Sequence, residues 1–177
     1  MRALVIGTFG ALALAGCEAQ APSPAERQAT APEPVTEGVL LRGRGLTAGP
    51  EAFYFAAGRS EVDTALARVF GEAGEHGENA ECGAGPMQFT RYGNGLTVNY
   101  QEGALVGWFL NERMGDVTVE GPVQIGSDAD DARVANGFAS IEGSTLGEEF
   151  SLGENLGGFV ENGSVSALYA GTNCFFR

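Results

Sequence analysis

The chain has 177 residues, a formal net charge of −13 and 44% hydrophobic residues. That length and apolar content predict one compact domain or a tight pair of small ones, and the acidity excludes nucleic acid and electrostatic attachment to anionic lipid. All ten cations are arginine, which also excludes Schiff-base chemistry, a phosphate-loop lysine and catalytic ammonium groups.

At the N-terminus, Arg2 precedes an apolar run from Ala3 to Ala15 that is too short for a stable transmembrane helix. The run ends in Leu14-Ala15-Gly16-Cys17. This resembles the lipobox of bacterial lipoproteins: an aliphatic residue, two small residues and a cysteine. The resemblance implies a signal peptide over 1–16, cleavage before Cys17 and acylation of Cys17, which would anchor the chain to a membrane. Two or more acyl chains make such an anchor stable. Glu18 follows the cysteine where inner-membrane lipoproteins often carry Asp, so the implied location is the outer membrane, facing the periplasm.

The same stretch, "VIGTFGALA", also resembles the glycine loop of aspartate-semialdehyde dehydrogenases, with Gly7 and Gly10 in place and Ala13 for the third glycine. Such a loop works only inside a βαβ unit, where a helix N-terminus receives a pyrophosphate. The proline-rich tract after Glu18 leaves no room for that unit. A dehydrogenase is disfavoured on this ground, and no cofactor is expected.

Residues 17–37 read as the lipidated cysteine and a disordered Pro/Ala-rich tether, with Pro22, Pro24, Pro32 and Pro34 among Ala, Gln, Glu and Thr. The folded domain is expected over 38–177, opening with "VLLRGRGL" as a first strand.

Two halves then follow a common pattern. Residues 56–71 read as a turn and a helix, with Ser60 as cap, Asp63 at the capping-box spacing and Val62, Leu66, Val69 and Phe70 on one face. A meander of "MQFTRY", "LTVNY" and "ALVGWFL" comes next, turning at Gly93 to Gly95 and Gln101 to Gly103. Residues 124–138 repeat the helix signal, with Ser127 as cap, Asp130 three residues on, and Ala129, Val134 and Phe138 as a weaker face. "EEFSL", "LGGFV" and "SVSALYA" form the second meander. Gly93 and Gly153, Leu96 and Leu156, and Gly103 and Gly163 all stand 60 positions apart. The expected fold is therefore α+β: two helix-plus-antiparallel-meander repeats, about 50–114 and 117–177, forming one sheet with helices on one face.

This arrangement resembles the small extracytoplasmic repeats of β-lactamase inhibitor proteins and of the SmpA/OmlA lipoproteins. Gly58-Arg59-Ser60-Glu61-Val62 fits the start of such a unit well, and Gly126-Ser127-Asp128 fits it loosely. The resemblance implies a sheet face open to a partner. It carries over no contact residue.

Beyond Cys17, only Cys82 and Cys174 remain. An even pair in an oxidising compartment reads as a disulfide. The rival reading is a nucleophilic Cys82, which would need a base, and the sole histidine, His76, lies in a glycine-rich acidic stretch. Glu72, Glu75, Glu78 and Glu81 of that stretch read as a solvated loop rather than a calcium site, because no EF-hand spacing is present. "DADD" at 128–131 reads as negative charge on a helix N-terminus. No metal site is expected.

Arg91, Tyr92, Tyr100 and Trp108 form the candidate binding face, since aromatic and arginine side chains are enriched at interfaces. Alternation along the strand puts Trp108 and Phe109 on opposite faces, and Phe109 is assigned to the core. The functional expectation is a lipid-anchored, non-enzymatic binding, inhibitor-like or envelope-structural module with an unknown envelope protein or ligand as partner. The alternative class is an enzyme, dehydrogenase-type or hydrolase, which the signal-peptide reading of the glycine loop, the single histidine and the absence of lysine disfavour.

Overall fold

The computed structural model describes residues 38–93, 95–113 and 115–175. The signal peptide, Cys17 and the tether expected over 1–37 lie outside the described residues.

The chain opens with three short strands, β1 (Val39–Arg42), β2 (Gly45–Ala48) and β3 (Glu51–Tyr54), followed by helix α1 (Arg59–Phe70). β4 (Glu75–Asn79), β5 (Met87–Tyr92), β6 (Leu96–Gln101) and β7 (Ala104–Leu110) form a meander. β8 (Val117–Val119) and a one-turn helix α2 (Ala129–Arg133) lead into β9 (Phe138–Ser140), β10 (Glu148–Leu152), β11 (Leu156–Glu161) and β12 (Ser164–Gly171). The strands make two sheets. One has four strands in the order β3-β2-β1-β8, and the other has eight in the order β4-β5-β6-β7-β12-β11-β10-β9. Pairing is antiparallel except between β1 and β8.

The expected α+β fold of two helix-plus-meander repeats is overturned. The protein is mostly β, with two sheets and two short helices. The four-stranded sheet accounts for most of the difference. "VLLRGRGL" is not one strand but a hairpin, in which Arg42 pairs with Gly45 across the turn Gly43-Arg44. The second helix signal yields only five residues. Its cap is Asp128, whose carboxylate accepts from the Asp130 amide, not Ser127. Val134 is 84% exposed and Phe138 belongs to a strand, so the apolar face that would have extended α2 does not exist. α1 forms over nearly the expected span, but Gly58 occupies the cap position and makes no side-chain bond. The acidic stretch 72–81, expected as loop, contains edge strand β4.

The six meander strands lie where the hairpin pattern placed them. The turns explain this: Glu102 and Asn162 adopt φ of 51° at equivalent points, each followed by a glycine at positive φ. Ladder irregularities also correspond, between Asn99 and Tyr100 in β6 and between Phe159 and Val160 in β11. The two meanders join through β7 and β12, where Phe109 faces Tyr169 and Trp108 faces Ala170.

Val62, Ala65 and Leu66 of α1 share one core with Leu41 and Leu46 of the small sheet and Leu96, Val98, Trp108, Leu110 and Leu168 of the large one. This inner face of the large sheet carries α1 and β2, both of which pack on β7. Among the described residues, no helix is long and apolar enough to cross a membrane.

Candidate functional site

β5 has the sequence Met-Gln-Phe-Thr-Arg-Tyr, and alternation divides it between two environments. Thr90 and Tyr92 point inward and are buried, whereas Phe89 and Arg91 point to the outer face and keep solvent contact.

On the inner face, the side chains converge on Asp63 of α1. Tyr92 and Tyr100 donate their hydroxyls to Asp63 Oδ1 at 2.9 and 2.7 Å. Thr90 donates to Oδ2 at 3.0 Å, and Arg59, one helical turn before Asp63, reaches the same oxygen at 3.2 Å. The Arg59 guanidinium also stands over the Tyr100 ring, 5.2 Å from its centroid, and contacts His76 Nδ1. Burial, reinforced by the Asp63 carboxylate, raises both phenol pKa values well above the ordinary range. A polar group removed from water is costly unless partnered, and each hydroxyl here has its acceptor. The cluster fastens α1 to β5 and β6.

This corrects the candidate binding face. Tyr92, Tyr100 and Trp108 are 3%, 0% and 0% exposed and lie in the core. Phe109, assigned to the core, is on the opposite face and half-buried. The physical reason is the indole nitrogen. Trp108 Nε1–H donates to the Arg42 carbonyl of the small sheet, a partner available only inside. Of the four expected residues, Arg91 alone is exposed.

On the outer face, Arg91 stands over Phe89 at 4.5 Å from the ring centroid. Beyond it run Thr97 and Asn99 of β6, Phe109 of β7, Tyr169 of β12 and Phe159 of β11. Glycines opposite two of these rings make room. A Cβ on Gly77 would strike the Phe89 ring, and one on Gly157 would strike Tyr169. Glu149 of β10 is buried at the far side and accepts from Tyr169 and Ser144.

The chain end after β12 crosses this face. Gly171, at φ 68°, turns the strand outward. The Thr172 amide bonds to the Val106 carbonyl at 2.8 Å, and the Asn99 amide donates to Asn173 Oδ1 at 2.8 Å. Cys174 then pairs with Cys82 in a disulfide, with the Cα atoms 5.5 Å apart. Phe175 lies against Phe109, Phe159 and Tyr169, with ring centroids 5.0–6.0 Å apart. Between this tail and β5 is an open groove of about 350 Å³, lined by Phe89, Arg91, Asn99, Phe109, Asn173 and Phe175 among others.

Sequence reasoning missed Asp63 as a hub and Phe89, Phe159 and Phe175 as a surface. The period-2 pattern of "MQFTRY" held the signal for both, once Thr90 and Tyr92 are read as sharing a face with the helix. Among the described residues, no group of three or more His, Cys, Asp or Glu side chains lies close enough to hold an ion.

Comparison with protein-family models, curated proteins and solved structures finds no match.

Proposed function

We propose that this protein is a lipid-anchored, non-enzymatic binding module of the cell envelope, and that it meets its partner through the outer face of the eight-stranded sheet. The observation that carries the reading is the groove itself. One face of the sheet is packed with α1 and the small sheet, while the other presents Phe89, Arg91 and Phe109 to solvent beside a disulfide-held tail. Aromatic rings with an arginine at the rim match the residue types that dominate binding surfaces. The anchor rests on the lipobox, whose cysteine would tether the domain through the proline-rich segment to the outer membrane.

One observation favours an enzyme: His76 Nδ1 lies 3.4 Å from Thr90 Oγ1 and 3.8 Å from Asp63 Oδ2. The arrangement does not suit catalysis. Thr90 is fully buried and already donates to Asp63, so no substrate can reach its hydroxyl. Binding remains the better reading.

The test has two arms. Palmitate labelling of the full chain should depend on Cys17. Capture from envelope extracts should be lost on Arg91→Ala and Phe109→Ala with the fold retained. Capture that both variants leave intact would place the binding surface elsewhere, and an unlabelled chain would remove the anchor.

A further inference from the structure

Among the described residues, the arginines are mostly engaged by the chain itself. Arg59, Arg68 and Arg133 make ion pairs, and Arg113 donates to the Ile125 carbonyl. In the β1–β2 hairpin, Arg42 forms an ion pair with Glu120 Oε1 at 3.5 Å, but its buried Nε makes no hydrogen bond. Arg44, in the turn itself, is exposed, and among the described residues its guanidinium has no hydrogen-bond or ion-pair partner. Buried donors are nearly always satisfied, and an exception calls for an explanation such as a bound ion.

Both arginines line one hollow of about 430 Å³. Tyr54 of β3, which pairs with Gly45, forms a second wall. It is 67% exposed and, with Val134, is one of two large exposed hydrophobic side chains among the described residues. The β10–β11 turn closes the far side with Glu154 and Leu156. The hairpin and that turn touch: a Cβ on Gly43 would collide with the Asn155 side chain. The hollow is thus built between the two sheets and held by packing.

We propose that this hollow binds a small carboxylate carried on a flat apolar body. The carboxylate would lie between the Arg42 and Arg44 guanidinium groups, whose fork of N–H donors matches it geometrically. The apolar body would lie against Tyr54 and Leu156. Glu120, paired with Arg42, and Glu154 also line the hollow and lower its positive potential, which favours a singly charged carboxylate over a phosphate dianion. The site is separate from the outer-face groove, and the two readings stand or fall independently.

The experiment is an amide-shift titration of the full chain with benzoate, acetate and inorganic phosphate at constant ionic strength. Benzoate should move the Arg44, Gly45, Tyr54 and Asn155 signals saturably, acetate should move them more weakly, and phosphate should be weakest. Arg44→Gln, at an exposed turn position, should weaken benzoate about tenfold, as expected for a lost charge-assisted hydrogen bond. Tyr54→Ala should abolish the advantage of benzoate over acetate, and Val134→Ala should change nothing. Non-saturating shifts, shifts indifferent to Arg44→Gln, or phosphate binding tighter than benzoate would each overturn the proposal.

Discussion

Trp108 Nε1–H donates to the carbonyl of Arg42 at 2.8 Å, a side-chain bond from the eight-stranded sheet to the four-stranded sheet. The indole is fully buried between them. Trp108→Ala should cost about 3–5 kcal/mol in denaturant unfolding, the usual range for a core aromatic. Trp108→Phe keeps most of the packing but leaves the carbonyl unpaired, and about 1–3 kcal/mol is expected. Equal costs for the two variants would show that the hydrogen bond, not the volume, carries the joint.

Asp63 is the shared acceptor for Tyr92, Tyr100 and Thr90. Asp63→Ala strands three buried hydroxyls and the Arg59 charge, so a loss of about 3 kcal/mol or more is expected. Thermal unfolding of the purified variant checks this.

The same cluster predicts alkaline sensitivity. Tyr92 and Tyr100 have pKa values raised in the folded state, so the native protein holds protons that the unfolded chain releases near pH 10. Their contribution is complete below that pH and is lost as pH rises above it. Ultraviolet titration should show Tyr92 and Tyr100 ionising only as the protein unfolds. Reversible ionisation of both in the native state would contradict the buried cluster.

The Cys82–Cys174 disulfide closes a long loop, with a sequence separation of 92. Chain entropy gives it an upper value of about 4–5 kcal/mol. Replacing both cysteines with serine should lower stability by no more than that. It should also release Phe175 from Phe109, Phe159 and Tyr169, which a methyl- or ring-resolved spectrum would report.

The meanders were legible in the sequence because their turns carry local chemistry. Glu102-Gly103 and Asn162-Gly163 need positive φ, and the apolar alternation on either side fixes where strands begin. The small sheet was not legible. Its parallel pairing of Val39 with Val117 and Leu41 with Val119 joins residues far apart in sequence, and no turn residue announces it. Face choice was also out of reach. Alternation separates Trp108 from Phe109 but does not say which set is buried. That depended on the Arg42 carbonyl, which only the folded small sheet supplies. Asp63 looked like a helix-capping residue because its spacing from Ser60 suits that role. Its true partners, Tyr92 and Tyr100, arrive from strands 29 and 37 positions away.

The outer face gives the sharpest contrast between stability and binding. Phe109 is half-buried under Phe175, whereas Trp108, its neighbour in the chain, is sealed in the core. Phe109→Ala removes a partly exposed ring and should cost about 1–2 kcal/mol, well below the alanine variant at Trp108. Arg91→Ala removes an exposed guanidinium that stands over Phe89 and should cost less than about 1 kcal/mol. If the groove is the binding face, both variants lose partner capture far beyond what these small stability changes allow. If it is an ordinary sheet surface, capture will follow stability, and Trp108→Ala will be the most damaging of the three. Measuring unfolding and capture on the same preparations separates the two outcomes, because Arg91 contributes almost nothing to the core and can affect capture only by contact.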